Sequence, residues 1–341
     1  MENSKTDDST SHLGIRAVFI HLGSSSPKHL WLNLKRHREM FPQVPLDLVL
    51  SDKRLRQFVP EGVNVIDYQR TVELDEVLHG LELSPSFRKG FWHFTIERLL
   101  VLKQVHMIHP DDAILHVESD VLLMPSFPWQ QLKYQRKLMW GRADANEDIA
   151  ALVFSPNFEL TELLTKLITE EMVSNSLTSD MRALRATAKQ LPKEKFDYLC
   201  FSFEQPSFFG GLFDVLAFGM WLGGMDPSNA RGLQTFHISM PHHTVRANEF
   251  SYHLIGNKLF AKRGLEQREI FSLHVHSKEP KVFGSNWLET LSKWVGLSKN
   301  PLPIRKFVLR GFYAWLRELL VEIFSAKGLV AIWSRLKSLF Q

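Results

Sequence analysis

Two acidic side chains stand directly after a short apolar run in the middle of the chain. The run Leu115-His116-Val117 leads into Glu118-Ser119-Asp120. Hard divalent cations such as magnesium and manganese prefer oxygen ligands, and two carboxylates two residues apart at a strand end can serve one ion. The alternative is a solvated turn, which the apolar runs on both sides disfavour. The pattern predicts a metal site with Glu118 and Asp120 as ligands.

A second group of candidate ligands lies late in the chain, in Leu273-His274-Val275-His276-Ser277-Lys278. Histidines at positions i and i+2 of a strand point to the same side, and neutral imidazole is a common metal ligand. Lys278 adds a compact positive charge that suits a phosphate. Alone, two histidines at this spacing are weak evidence. Together with the two acids they complete a mixed oxygen and nitrogen coordination shell.

Strand-like and helix-like patterns alternate before the acidic pair, and they must position it. The predicted strands are Ala17–Leu22, Leu46–Leu50, Val63–Tyr68 and Ala113–Val117, and the predicted helices are His29–Met40 and Phe91–Met107. Such alternation indicates βαβ units and a largely parallel sheet. Ligands of these sheets bind beyond the carboxyl ends of the strands. Gly23, Asp52 and residues 118–120 all fall at those ends.

The second half of the chain is less regular. We predict strands over Leu138–Arg142, Ile149–Phe154 and Ile270–Val275, and helices over Leu160–Val173, Asp180–Leu191 and Val215–Leu222. The simplest division is a disordered N-terminus over 1–14, one catalytic domain over 15–284 and an amphipathic helical extension over 285–341.

Composition narrows the function classes. The chain has 341 residues, of which 44% are hydrophobic, and one cysteine. A single cysteine excludes a disulfide framework and a cysteine-based zinc site, and it favours a reducing compartment. No secretory signal or transmembrane run is evident, so we expect a cytoplasmic protein. Nucleic-acid binding by the main body is disfavoured, because the net charge of +4 comes from the tail.

The tail over 301–341 carries seven basic and two acidic residues. Apolar residues recur in it at helical spacing. Two interpretations stay open. The tail packs on the catalytic domain, or it contacts the inner face of a membrane peripherally and brings the protein to a lipid-linked acceptor.

Several of these segments together resemble the GT-A-fold glycosyltransferases. The helix with Thr95-Ile96-Glu97-Arg98, followed by a strand into Glu118-Ser119-Asp120, is similar to the arrangement before the DxD motif of that family. The late histidine and lysine resemble those of its retaining members, and residues 148–154 resemble the strand beside the donor sugar. The resemblance spans about residues 15–280. It implies an α/β fold with a Rossmann-type mixed sheet flanked by helices, followed here by the helical extension.

The resemblance also implies roles for individual residues. Asp120 would ligate the metal, and Glu118, which stands where the family motif has aspartate, would contact the metal or the donor ribose. His276 would be the third protein ligand, with His274 as the alternative. The remaining donor-binding candidates are Arg98 and Lys278, which would neutralise the diphosphate, Gly23 and Asp52, which would line the base and ribose, and Ser119.

Catalytic acids are less well defined. Asp214 and Asp226 bracket an apolar helix, and either could face the acceptor hydroxyl as a general base. Asp148 and Glu147 compete for that role or for holding the donor sugar. A structural interpretation also fits, because Asp214 could cap the helix and Asp226-Pro227 is an ordinary turn signal.

We therefore expect a metal-dependent glycosyltransferase that moves a sugar from a nucleotide-diphosphate sugar to the hydroxyl of a glycan or glycolipid, in surface polysaccharide synthesis. The late histidine and lysine favour a retaining hexosyltransferase. A nucleotidyltransferase is disfavoured, because the loop over 23–28 is poor in glycine. The alternatives are a metal-dependent hydrolase that uses His274, His276 and the acids, and a non-catalytic glycan-binding protein of the same fold.

Overall fold

A seven-stranded mixed sheet with helices on both faces forms the centre of the molecule. The computed structural model describes residues 13–82, 91–205, 208–214, 217–224 and 249–298. The predicted α/β fold with a mixed sheet flanked by helices is confirmed.

The strands form two sheets. Their bounds are β1 Ile15–His21, β2 Leu46–Leu50, β3 Asn64–Asp67, β4 Ala113–Val117, β5 Val121–Leu123, β6 Leu138–Arg142, β7 Asp148–Ser155, β8 Phe196–Tyr198, β9 Gly211–Phe213, β10 Ser251–Ile255, β11 Lys258–Arg263 and β12 Glu266–His274. The large sheet has the order β3-β2-β1-β4-β7-β6-β8, and β7 is antiparallel to both of its neighbours while the other pairs are parallel.

The helices of the part that the structure describes are α1 Lys28–Met40, α2 Val72–His79, α3 Phe91–Ile108, α4 Trp129–Lys133, α5 Phe158–Ser174, α6 Asp180–Gln190, α7 Ala217–Gly223, α8 Pro280–Phe283 and α9 Trp287–Ser298, with a 3₁₀ helix over Lys53–Phe58. One core holds Phe19 and Leu115, and the other holds Val18 and Ile114. Because both faces of β1 and β4 are buried, these strands appear as continuous apolar runs rather than as alternating patterns.

The second sheet joins the late strands β10–β12 to β5, which follows β4 of the large sheet. Its order is β10-β11-β12-β5. Strand β9 also pairs with β12, through Glu269–Ser272, next to the residues of β12 that pair with β5. Helices α7 and α9 pack on this sheet through a third core that contains Phe218, Leu273 and Leu291. Because β5 follows β4 after only three residues, the chain passes from one sheet to the other at the predicted metal-binding turn.

Two predicted segments are covered only in part. Helix α9 lies within the predicted extension, while residues 299–341 and the first twelve residues lie outside the described part of the chain. The domain boundaries at 14 and 284 therefore stay predictions. Among the described helices, none has the length and apolarity that crossing a membrane requires.

Candidate functional site

The turn between β4 and β5 presents Glu118 and Asp120 at the carboxyl end of β4. The Glu118 amide donates to the Ala151 carbonyl of β7 at 3.0 Å, and the Val121 amide donates to the Glu118 carbonyl at 3.0 Å. Both acidic side chains are 13% exposed. The turn thus holds two carboxylates in a mostly buried but open position at the edge where ligands of such sheets bind.

His274 reaches this turn through the pairing of β12 with β5. His274 is opposite Val121 in the antiparallel register, and the Val275 amide donates to the Asp120 carbonyl at 2.8 Å. The Nε2 atom of His274 lies 3.4 Å from Glu118 Oε2 and 3.4 Å from Asp120 Oδ1. One ligand atom of each of the three residues lies within 4.8 Å of the others. The structure thereby brings three of the predicted metal ligands together.

His276 and Lys278 lie beside this cluster. The rings of His274 and His276 are 4.1 Å apart at their centroids, as expected for side chains that share one side of the segment. Lys278 Nζ is 3.9 Å from Asp120 Oδ2. Burial raises the pKa of the Asp120 carboxyl, but the combined opposite effect of His274, Lys278 and His276 is larger. The net pKa therefore lies well below its usual range. Asp120 is therefore a carboxylate at neutral pH.

Arg98 of α3 lies between the turn and a buried acid of α6. Its Nη2 atom is 2.5 Å from Glu118 Oε1 and 3.8 Å from Asp180 Oδ2. Burial alone would lower the pKa of the guanidinium, but Glu118 and Asp180 raise it above its ordinary value. Burial raises the pKa of Asp180 to about 6, and Arg98 opposes this change. Sequence reasoning placed Asp180 only at the start of a helix, and no local pattern marks it as part of the site.

Gly23 lies at the carboxyl end of β1, on a separate cleft of about 480 Å³. Its φ of +97° is in the region that favours glycine, and an added Cβ would lie 3.3 Å from the ring of Phe94. The Gly23 amide donates to Ser51 Oγ at 2.8 Å. The structure thus places Gly23 where a ligand could lie against backbone at the ends of β1 and β2.

A buried carboxylate also lines this cleft. Glu97, 1% exposed, accepts from Tyr68 Oη at 2.8 Å and from Arg70 Nε and Nη2 at 2.7 Å each. Tyr68, Arg70 and Glu97 are not among the site residues predicted from the sequence. Adjacent residues of α3 therefore contact different parts of the molecule. Glu97 binds Tyr68 and Arg70 in the cleft, and Arg98 contacts Glu118 of the acidic turn.

Asp52 has a local role. Its Oδ1 accepts from the Arg54 amide at 3.0 Å, which caps the 3₁₀ helix, and its Oδ2 lies 2.6 Å from Arg54 Nη2. The hydrogen bond from the Arg54 side chain lowers the pKa of Asp52 below its usual value. Of the described residues that line the cleft with Gly23, none is Asp52.

Asp148 lies at the start of β7 and is fully buried. Its Oδ2 accepts from Trp140 Nε1 at 2.8 Å and from Tyr198 Oη at 3.2 Å. Burial raises its pKa above the usual value. Its neighbour Glu147 lies 3.6 Å from Arg182 Nε. Asp148 is at the same sheet edge as Glu118, because β7 runs antiparallel to β4, but its contacts are to Trp140 and Tyr198.

Asp214 makes the contacts expected of a helix cap, which was the structural alternative to a general base. Its carboxylate oxygens accept from the amides of Phe218 at 3.0 Å, Gly219 at 2.6 Å and His274 at 2.9 Å. It therefore connects the start of α7 to the end of β12, and burial raises its pKa. A Cβ at Gly219 would lie 1.9 Å from the His274 carbonyl oxygen, so glycine permits this close approach. Asp226 lies outside the described residues.

The comparisons with known proteins give structural similarities only. No protein-family model and no curated protein matches the chain. The solved structures that match include a PaToxG glycosyltransferase, with 15% identity, 52% of this chain and 69% of that chain covered, and a TM-score of 0.35. A galactosyltransferase LgtC in complex with donor and acceptor sugar analogues has 15% identity, 54% and 73% coverage and a TM-score of 0.38. A glycosyltransferase involved in glycosylation of the major capsid of PBCV-1 has 10% identity, 54% and 80% coverage and a TM-score of 0.33.

Proposed function

We propose that the chain is a metal-dependent glycosyltransferase that transfers a sugar from a nucleotide-diphosphate sugar to an acceptor hydroxyl. The observation that carries the proposal is the cluster of Glu118, Asp120 and His274 at the carboxyl end of β4. The positively charged side chains of Arg98 and Lys278 lie next to it. The acidic turn and the late histidine are two of the elements on which the resemblance to GT-A enzymes rests.

The donor set fits a divalent ion such as manganese or magnesium. Carboxylate oxygens suit both ions, and one imidazole nitrogen is compatible with manganese. Glu118, Asp120 and His274 would hold the ion, with His276 beside them as the further candidate. When bound, such an ion neutralises charge on a diphosphate leaving group. The Nζ atom of Lys278 lies 3.9 Å from Asp120 Oδ2 and adds a positive charge beside the cluster.

The rest of the site accounts for donor binding. Breaking a glycosyl–phosphate bond gives an oxocarbenium-like sugar and leaves negative charge on the diphosphate. Lys278 stabilises that charge, and Arg98 keeps Glu118 oriented through its short contact. The cleft at Gly23 takes the nucleoside, at the ends of β1 and β2. Transfer of a hexose with retention to a glycan or glycolipid is the form of the reaction that we propose.

A thermal-shift panel tests this proposal. The wild type is melted with each nucleoside diphosphate and nucleotide sugar, with and without manganese. A ligand at about 100 times its dissociation constant adds roughly 2.7 kcal/mol to the free energy of unfolding. We expect a manganese-dependent shift with one nucleotide family, and release of that nucleoside diphosphate when an acceptor glycan is added.

Two matched variants make the test specific. Asp120→Asn removes one of the two negative charges at the turn, while Asp111→Asn makes the same change at an exposed position before the opposite end of β4. The manganese-dependent shift should disappear in the first variant and persist in the second. If no nucleotide shifts the wild type in the presence of manganese, the donor site does not exist as proposed.

A further inference from the structure

Helix α1 carries a polar face that is buried against the acidic turn. His29, Asn33 and Arg36 follow the spacing i, i+4, i+7, which places them on one side of the helix. They are 8%, 2% and 4% exposed. Buried polar side chains require partners, and all three find partners in residues 119–123.

His29 Nε2 lies 3.2 Å from the side-chain hydroxyl of Ser119, while Asn33 and Arg36 bind alternate backbone carbonyls of the same segment. Asn33 Nδ2 donates to the Ser119 carbonyl at 3.2 Å and to the Val121 carbonyl at 2.8 Å. Arg36 Nη1 donates to the Leu123 carbonyl at 2.7 Å. In extended backbone the carbonyls of residues i and i+2 point to one side, and those of Val121 and Leu123 in β5 both point towards α1. Helix α1 therefore stands where another strand would pair with β5.

The opposite side of the segment is held by β12. The Asp120 carbonyl accepts from the Val275 amide at 2.8 Å, and β5 pairs with Ser272–His274. The carbonyls on both sides of Asp120 are thus bonded to one side chain, Asn33, while its own carbonyl is bonded to β12. Few rotations of the Asp120 backbone remain that keep all three bonds.

We propose that Asn33 is a positioning residue for the metal-binding turn, because its amide fixes the carbonyls of Ser119 and Val121 and thereby holds the Asp120 carboxylate towards His274. Arg36 extends the same support to Leu123, and its guanidinium lies 4.7 Å above the Trp287 ring of α9. The side chains of α1 donate the hydrogen bonds to β5 that a neighbouring strand would otherwise supply. They do not bind the carboxylates of Glu118 and Asp120.

Hydrogen exchange tests the positioning without any ligand. Asn33→Ala should speed exchange of the Val121 and Val275 amides by about tenfold or more, because two hydrogen bonds that hold the segment are lost. Exchange in β1 and β2 should stay as in the wild type. Asn33→Ser serves as the milder variant if alanine prevents folding.

Two control variants separate positioning from general destabilisation. Leu34→Val truncates a fully buried side chain of the same helix that belongs to the apolar core. Asn64→Ala removes an amide that donates to Asp47 Oδ1 at 2.8 Å, at the opposite end of the large sheet. Neither control should speed exchange selectively at Val121 and Val275. Equal acceleration in Asn33→Ala and Leu34→Val would overturn the proposal.

Manganese affinity tests the consequence for the site, and this step rests on the proposed function. Loss of a residue that orients a ligand typically weakens metal binding by about 10- to 100-fold, and we expect that range for Asn33→Ala in a titration of the full chain. The two controls should bind as the wild type does. If the wild type binds no manganese, the proposed function fails, and the exchange experiment alone decides whether Asn33 positions the turn. An unchanged affinity in Asn33→Ala beside normal wild-type binding would refute its role in the metal site.

Discussion

Replacing Asp180 by asparagine should make the protein more stable at neutral pH and not at acidic pH. The Asp180 side chain is 8% exposed, and burial raises its pKa to about 6 in the folded chain although Arg98 lies 3.8 Å away. The ordinary pKa of an aspartate carboxyl, which applies in the unfolded chain, is 3.8. Asparagine keeps the shape and the acceptor oxygen but carries no charge.

The expected magnitude follows from this difference in pKa. Between pH 4 and pH 6 the folded chain keeps a proton on Asp180 that the unfolded chain has released, so stability falls as pH rises through this window. The pKa difference of about two corresponds to roughly 3 kcal/mol, at about 1.4 kcal/mol for each pKa unit. Relative to the wild type, Asp180→Asn should therefore gain roughly 3 kcal/mol between pH 4 and pH 7.

Urea unfolding of both proteins at several pH values measures this gain. Any constant offset from the altered hydrogen bond cancels when the difference in free energy is followed against pH. Thr187→Ala is the control, because Thr187 is fully buried in the same helix and does not titrate. A difference between Asp180→Asn and wild type that stays flat from pH 4 to pH 7, or that changes in favour of the wild type, would refute the reasoning.

The remaining predictions concern packing and a second buried group. Gly219→Ala should destabilise the fold by at least about 3 kcal/mol, because its Cβ would lie 1.9 Å from the His274 carbonyl oxygen. Gly296→Ala in α9, whose Cβ meets no atom within 4 Å, should instead gain about 0.5–1 kcal/mol, and thermal melts compare the two. Burial lowers the pKa of His37 to about 3, so wild-type stability should fall as pH drops below 6.5. Relative to the wild type, His37→Phe should gain about 2 kcal/mol between pH 7 and pH 5 in urea unfolding, and no gain would contradict the buried neutral histidine.

The strands that the sequence predicts well are those with two buried faces. The bounds Leu46–Leu50, Ala113–Val117 and Leu138–Arg142 agree with the structure. The β10–β11 hairpin was not predicted, because β11 mixes charged and apolar residues and each strand has exposed as well as buried positions. Its Gly256-Asn257 turn, with Gly256 at a φ of +61°, was the available signal. Strand β5 has three residues, which is too short for any periodicity.

For the site, the sequence predicts the participants better than their arrangement. It identified both acids and both histidines as candidate ligands, but by resemblance it ranked His276 above His274. The register of β12 against β5 brings His274 to the acids, and periodicity within a strand carries no information on the register between strands so distant in the chain. Asn33 and Asp180 could not be identified, because their partners come from other elements.

The passage of the chain from β4 into β5 also has a consequence for the order of folding. Val121 pairs with His274, so the two halves of the cluster are far apart in the chain. Contacts of such long separation form late, because the closure of a long loop must precede them. The first four strands and α1 can assemble during synthesis, while the ligand cluster waits until β12 has left the ribosome. On the proposed function, manganese binding would therefore report that β12 has paired with β5, and a nascent chain that holds only the large sheet would lack His274 and with it the complete cluster.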